Sequence, residues 1–269
     1  MAQHGSEKST EVDHDSNPEA AAGAMLAGPV RITVIDRASR ERMIITIDGP
    51  AAVGKSSTAR ELAKRLGLEL LNTGAMYRTA AALVLDNNID PCDSHTVCGV
   101  VAQADLHFDW TTDPPAMLCS GKPLPKARLD ARDVTDLVSP LAGTPALREH
   151  MVRKQRIIAA QHRFLLAEGR DQGSAVFPNA DVKFYLTASA TSRAKRRLLE
   201  LSPVIDETEM AVKAEQLEQR DHSDRSRGVG PLVQPPDAWV IDSTDMGFDE
   251  VVSEMERIVH AHVGYATRG

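Results

Sequence analysis

One stretch of the chain has the residue types and spacing of a loop that grips phosphate groups. Residues 49–56 fit the pattern G-x-x-x-x-G-K-[ST] at every fixed position. The two glycines let the backbone curl until successive N–H groups point inward as a nest for anions. Lys55 adds a positive charge aimed at the β- and γ-phosphates, and the Ser56 hydroxyl is the expected ligand of a bridging Mg²⁺. A chance match has a probability on the order of one per cent. We therefore predict nucleotide phosphate binding by Gly49, Pro50, Ala51, Ala52, Val53, Gly54, Lys55, Ser56 and Ser57.

The segments on either side are those that position such a loop. Residues 43–47 are apolar and rich in β-branched side chains, which predicts a buried parallel strand. After the loop, apolar residues recur at helical spacing up to Gly67, namely Ala59, Leu62, Ala63 and Leu66. Phosphates at the N-terminus of that helix would also meet the positive end of its dipole.

Farther along, strands and helices alternate as in a parallel sheet covered on both faces. Strands are predicted at residues 68–71, 182–186 and 239–241, and helices at residues 73–84, 145–165, 206–220 and 248–260. Thr73 is the predicted N-cap of its helix. Residues 87–140 interrupt the alternation with prolines, glycines and short β-type runs. We expect an α/β domain over residues 43–262 with a small inserted lobe at about 87–140.

Charge and composition limit the classes of partner. The net charge is −7, and residues 1–28 hold one lysine against five acidic residues, so the rest of the chain is close to neutral. That balance argues against a general nucleic-acid binder. Residues 1–28 lack periodicity, which predicts a disordered tail. Residues 30–35 either form a further strand or lie upstream of the true start codon, which would then be that of Met43.

Cysteine usage and hydropathy indicate the compartment. The cysteines are odd in number and form no C-x-x-C pair, which predicts a reducing cytoplasm and no structural metal. No apolar stretch approaches the ~18 residues of a membrane span. We expect a cytoplasmic monomer that binds neither membrane nor nucleic acid.

A series of short motifs then follows in order along residues 43 to about 262. They are Ile-Asp-Gly-Pro (47–50), Thr-Gly-Ala-Met-Tyr-Arg (73–78), Val-Ser (138–139), Pro-Ala-Leu-Arg (145–148), Glu-Gly-Arg-Asp (168–171), Val-Phe-Pro (176–178), Leu-Thr-Ala-Ser (186–189), Arg-Ala-Lys-Arg-Arg (193–197) and Arg-Asp-x-x-Asp-x-x-Arg (220–227). Together they resemble the bacterial cytidylate kinases. The resemblance implies a P-loop kinase fold and transfer of the γ-phosphoryl group of ATP to CMP or dCMP. It also implies that the inserted lobe binds the monophosphate and that an arginine-bearing lid at about 190–230 closes over both substrates.

Phosphoryl transfer spreads charge over the moving group, so its catalysis depends mostly on positioning and on cations. Besides Mg²⁺ at Ser56, the candidate catalytic cations are Lys55, Arg193, Arg196 and Arg220. The resemblance implies a second clamp, on the α-phosphate of the acceptor, at Arg78, Arg170 and Arg227. It also implies substrate contacts of Thr73, and Asp224 is a candidate acceptor for the ribose hydroxyls. Each arginine cluster is also compatible with a solvated helix face or a salt-bridge ladder.

The choice of base follows from donor and acceptor positions. Cytosine has an amino donor at C4 and acceptors at N3 and O2. Asp171 and Ser139 are the candidates for the amino group, and Arg148 is the candidate for N3 and O2. Uracil would place an oxygen acceptor against the carboxylate, which predicts preference for CMP over UMP. Asp171 as a Mg²⁺-linked acid remains the alternative.

Two further functions stay open. One is another small-acceptor kinase of this architecture, acting on UMP, dephospho-coenzyme A or shikimate. The other is a nucleotide-dependent regulatory switch or an RNA-binding adaptor. The chain departs from the resembled pattern at Leu129 and Asp130, where many members carry Ile-Arg, and at Asn72, which replaces the usual acid.

Overall fold

The computed structural model describes residues 41–200 and 202–263. The strands are β1 (Met43–Asp48), β2 (Glu69–Asn72), β3 (Leu106–Asp109), β4 (Ala116–Cys119), β5 (Lys122–Pro123), β6 (Phe164–Glu168), β7 (Val182–Thr187) and β8 (Trp239–Asp242). The α-helices are α1 (Lys55–Leu66), α2 (Thr73–Asp86), α3 (Ser94–Gln103), α4 (Lys126–Leu129), α5 (Arg132–Ala142), α6 (Pro145–Gln161), α7 (Ala190–Leu199), α8 (Glu207–Ser226) and α9 (Phe248–Val263). A π-helical turn spans Gln172–Val176.

A five-stranded sheet in the order β2-β6-β1-β7-β8 forms the centre, and every pairing in it is parallel. All six residues of β1 are buried, as expected for a strand covered on both faces. One face packs against α2, α5 and α6, and the other packs against α1 and α9. The predicted α/β fold with helices on both faces is confirmed. Because the strands are parallel, their carboxyl ends meet at one edge of the sheet, where α/β proteins bind ligands.

A second, antiparallel sheet of β3, β4 and β5 lies between α3 and α4 in the sequence. It falls within the segment expected to form the inserted lobe. The limits predicted for the domain, the lobe and the arginine-bearing lid stay predictions. The predicted disordered tail (residues 1–28) and the uncertain segment at residues 30–35 lie outside the described residues.

Three predicted helix boundaries are wrong. The N-cap of α2 is Asn72, whose side chain accepts a hydrogen bond from the Ala75 N–H at 2.9 Å, and Thr73 is the first helical residue. Helix α6 ends at Gln161 rather than residue 165, because β6 starts at Phe164 and pairs with β1. Helix α8 continues to Ser226 rather than Arg220.

Gly49 is required by the close packing of β1 against β7. Its φ is +152°, and a Cβ there would lie 2.0 Å from the Leu186 carbonyl oxygen. We predict that Gly49→Ala lowers the free energy of unfolding by about 1–3 kcal/mol. Gly99→Ala is the control because a Cβ at Gly99 meets nothing within 4 Å, and it should be neutral or stabilising by up to ~1 kcal/mol. Urea unfolding measures the free energy of unfolding of both variants. Equal values for Gly49→Ala and Gly99→Ala would contradict the steric argument.

Candidate active site

The phosphate loop connects the carboxyl end of β1 to the N-terminus of α1. Ala52 and Gly54 both adopt positive φ, at 58° and 95°, which gives the loop its curl. The buried Lys55 Nζ donates a hydrogen bond to the Pro50 carbonyl at 2.6 Å across the loop. Burial lowers the pKa of Lys55 well below its usual value, and Arg170 lowers it further, while Glu168 and Asp48 act in the opposite direction. A bound anion at this position would favour the charged form of the lysine.

Ser56, the predicted metal ligand, lies beside a carboxylate that the sequence analysis did not assign. Its hydroxyl donates to Glu168 Oε1 at 2.7 Å, and Glu168 is buried at the end of β6. A hydroxyl next to one carboxylate fits Mg²⁺, which takes few protein ligands and completes its shell with phosphate and water oxygens. Within residues 41–200 and 202–263, no group of three or more His, Cys, Asp or Glu side chains forms a metal cluster.

Asp48, at the end of β1, connects the phosphate loop to the turn that follows β6. Its two carboxylate oxygens accept hydrogen bonds from the Gln172 N–H at 2.8 Å and the Gly173 N–H at 2.7 Å. These bonds position the preceding residues, Arg170 and Asp171. Sequence reasoning missed Asp48, although its place directly before the loop was visible in the chain.

A second cluster of predicted site residues lies around Asp224 on α8. Asp224 accepts hydrogen bonds from the Ser139 hydroxyl at 2.9 Å and from Arg170 Nε at 2.8 Å, and it also pairs with Arg227. Burial raises the pKa of Asp224, but Arg170 and Arg227 outweigh this effect and hold it below its usual value. The carboxylate is therefore ionised at neutral pH. Arg227 Nε is buried and has no hydrogen-bond partner among the described residues.

Arg148 and Asp171, predicted to recognise the base, form an ion pair in which both side chains are buried. Next to them lies Tyr77, a residue that sequence reasoning left without a role. Burial raises the pKa of the Tyr77 hydroxyl, and the positive charges of Arg148 and Arg227 act in the opposite direction. Its position in the motif at residues 73–78 was the available signal.

The remaining predicted residues have different surroundings. The Thr73 hydroxyl donates to the Glu168 carbonyl at 2.7 Å, and Arg78 Nε is buried with no hydrogen-bond partner in the described part of the chain. Arg193 is buried against Asp221 and the phosphate loop. Arg196 instead contacts Ser243 beyond the end of β8.

Arg220 lies on α8, where the charges of Arg170, Arg227, Asp221 and Asp224 act on it. Burial and the neighbouring Arg170 lower its pKa, while Asp224 raises it. A bound anion would reduce the repulsion between a guanidinium and a neighbouring cation. The structure thus brings Lys55, Ser56, Arg170, Arg220 and the Asp224 cluster to the carboxyl edge of the sheet. Arg196 reaches the same edge at the end of β8, where it contacts Ser243.

The fold and this site define a P-loop phosphotransferase, in which a phosphate loop lies beside a second cluster of basic side chains. The model of the cytidylate kinase family matches residues 45–261. A cytidylate kinase from Rhodococcus opacus is 38% identical over 84% of this chain and 98% of its own length. One from Methylococcus capsulatus is 37% identical over 81% and 97%. The chain belongs to the cytidylate kinase family.

More distant likenesses add nothing about the substrate. A shikimate kinase from Acinetobacter baumannii, solved in complex with shikimate, aligns with 83% of this chain and 96% of its own at 12% identity and a TM-score of 0.39. The family does not favour the alternative functions left open by the sequence. No helix in residues 41–200 and 202–263 is long and apolar enough to cross a membrane.

We predict that Asp48 makes the free energy of unfolding depend on pH. Burial is the largest cause that raises its pKa, from 3.8 to about 6. A carboxyl with a raised pKa contributes stability that is fully present below pH 3.8 and lost as the pH rises through 6. The loss is on the order of 1.4 kcal/mol per pKa unit.

Asp48→Asn removes this titration, so urea unfolding at several pH values from about 4 to 8 should isolate it. The stability of the parent relative to Asp48→Asn is expected to fall up to about pH 6 and then to level off. The exposed Asp245→Asn serves as the control. A parent-to-variant difference that does not change with pH would contradict the assignment.

Proposed function

We propose that the protein transfers the γ-phosphoryl group of ATP to CMP or dCMP, giving ADP and CDP or dCDP. The observation that carries the proposal is the placement of the phosphate loop and the Asp224 cluster at one edge of the sheet, with Arg170 in contact with Asp224 at 2.8 Å. Two anionic substrates held there can react by direct in-line transfer, without a covalent enzyme intermediate.

On the donor side, the main-chain N–H groups of residues 52–57 hold the phosphates of ATP, since Pro50 has no N–H and the Ala51 N–H is donated to Asp221. Lys55 exchanges the Pro50 carbonyl for a phosphate oxygen, whose negative charge favours the charged form of the lysine. Ser56 and Glu168 would hold Mg²⁺, which neutralises charge on the β- and γ-phosphates when bound. Arg193, Arg196 and Arg220 stay candidates for stabilising the transferring group.

On the acceptor side, Arg78, Arg170 and Arg227 bind the α-phosphate. The Nε atoms of Arg78 and Arg227, which have no hydrogen-bond partner within residues 41–200 and 202–263, support this role. A buried donor without an acceptor is costly, and a phosphate would supply an acceptor. Asp224 accepts hydrogen bonds from the ribose hydroxyls, with Ser139 and Thr73 at the edge of the same pocket.

The base is recognised by the Arg148–Asp171 pair, with Ser139 as a second candidate for the amino group. A guanidinium donor beside a carboxylate acceptor matches the N3 and O2 acceptors of cytosine beside its amino donor. Uracil lacks that amino donor. We further propose that the protein works as a monomer in the cytoplasm, with neither nucleic acid nor membrane as a partner.

We predict that ATP turnover depends on the acceptor and on Lys55. In a coupled ADP-release assay with Mg²⁺, CMP and dCMP should stimulate turnover strongly, UMP weakly, and shikimate or dephospho-coenzyme A not at all. Lys55→Ala should lower kcat at least ~100-fold while the fold persists. The exposed Lys64→Ala on the same helix is the control. A rate of ATP hydrolysis that does not change when nucleoside monophosphates are added would contradict the proposal and favour a regulatory role.

We predict that Asp171→Asn erodes discrimination between CMP and UMP. An asparagine amide can donate to the O4 of uracil, and it no longer offers two acceptor oxygens to cytosine. The ratio of kcat/KM for CMP over UMP should fall roughly 10-fold or more. If Asp171 acted only as the charge partner of Arg148, the substitution would lower kcat/KM for CMP and UMP equally and leave their ratio unchanged. That result would count against base recognition by Asp171.

A further inference from the structure

A buried ion pair of Asp221 and Arg193, both outside the phosphate loop, forms hydrogen bonds with the main chain of the loop. Asp221 on α8 is 1% exposed and Arg193 on α7 is 4% exposed. Asp221 Oδ1 accepts a hydrogen bond from the Ala51 N–H at 3.0 Å, and Arg193 Nη1 donates to the Ala51 carbonyl at 2.9 Å. Arg193 Nη1 also donates a hydrogen bond to Asp221 Oδ2 at 2.6 Å. Both polar groups of Ala51 are thus held by one carboxylate and one guanidinium.

The hydrogen bonds of the Asp221–Arg193 pair fix the relative positions of the segments that it joins. Removing two charges from water is costly unless they are paired and their remaining hydrogen-bonding groups are satisfied. Arg193 Nε meets that requirement by donating to the Ala188 carbonyl at 3.1 Å, just before α7. The guanidinium therefore joins the end of the β7 segment, the phosphate loop and α8 in one network.

Asp224 lies three residues after Asp221, on the same side of α8, since i and i+3 positions share a helix face. Asp221 holds the loop for the donor, while Asp224 holds Ser139 and Arg170 at the proposed acceptor site. One rigid helix therefore carries a carboxylate to each substrate pocket. A shift of α8 that loosens one contact strains the other.

We propose that Asp221 is a positioning residue that, with Arg193, couples occupancy of the phosphate loop to occupancy of the acceptor pocket through α8. The inference rests on the proposed function. An acceptor nucleotide bound at Asp224 holds α8 in place, and α8 then holds Ala51 in the loop conformation that accepts phosphates. By linkage, a bound nucleoside triphosphate raises the affinity for CMP by the same factor.

Calorimetric titration of CMP tests this coupling, with and without a saturating, non-hydrolysable ATP analogue and Mg²⁺. In the parent, the analogue should lower the Kd of CMP at least ~5-fold. Asp221→Asn loses the charge and keeps one acceptor oxygen, so it cannot serve the Ala51 N–H and the Arg193 guanidinium as the two carboxylate oxygens do. In this variant the analogue should change the Kd of CMP less than ~2-fold, while the Kd of CMP alone stays within ~3-fold of the parent value. Glu218→Gln, an exposed position on the same helix, should behave as the parent.

The outcomes separate the inference from the function. Parent-like coupling in Asp221→Asn would overturn the inference, as would an equal loss of CMP affinity with and without the analogue. A parent that phosphorylates CMP but shows no coupling also overturns it and leaves the function intact, whereas a parent that neither binds nor phosphorylates CMP overturns the function. If Asp221→Asn does not fold, Asp221→Glu replaces it, since the longer side chain keeps the charge opposite Arg193 but displaces the carboxylate from the Ala51 N–H. Its coupling should fall likewise, and parent-like coupling would refute the role.

Discussion

Several cations share a small, largely dehydrated volume at the carboxyl edge of the sheet, and this crowding constrains the rest of the structure. Burial lowers the pKa of Lys55, Arg220 and Arg227, and in each case a neighbouring arginine lowers it further. Such an arrangement is costly without anions, because charged groups are removed from water and placed near like charges. The site is therefore preorganised for ligands that bring negative charge.

Buried carboxylates offset part of the repulsion between these cations. Glu168 lies beside Ser56, Asp221 pairs with Arg193, and Asp224 pairs with Arg170 and Arg227. Asp221 and Asp224 also perform a geometric task, because a carboxylate that accepts several hydrogen bonds fixes the direction of every donor. The same residues thus balance charge and set the positions of the two pockets.

The parallel sheet explains why these residues meet at all. The registers Ile47↔Glu168 and Ile47↔Phe184 align the ends of β1, β6 and β7, so segments far apart in the chain deliver side chains to one edge. The phosphate loop, its flanking strand and its helix were predictable from local signals, since a glycine pattern, β-branched residues and helical spacing act over a few residues. The end of α6 was not, because the strand pairing of β6 decides it.

The chain by itself determined the phosphate loop, the alternation of strands and helices, and the set of basic residues available for phosphates. These properties depend on neighbours within one or two turns, where local geometry is decisive. Only the tertiary structure decided which polar groups meet: that Glu168 accepts from Ser56, that Asp221 and Arg193 bind the main chain of Ala51, and that Arg196 contacts Ser243. The physical reason is that such pairings join residues up to 170 positions apart, and burial between packed elements, rather than sequence spacing, selects them.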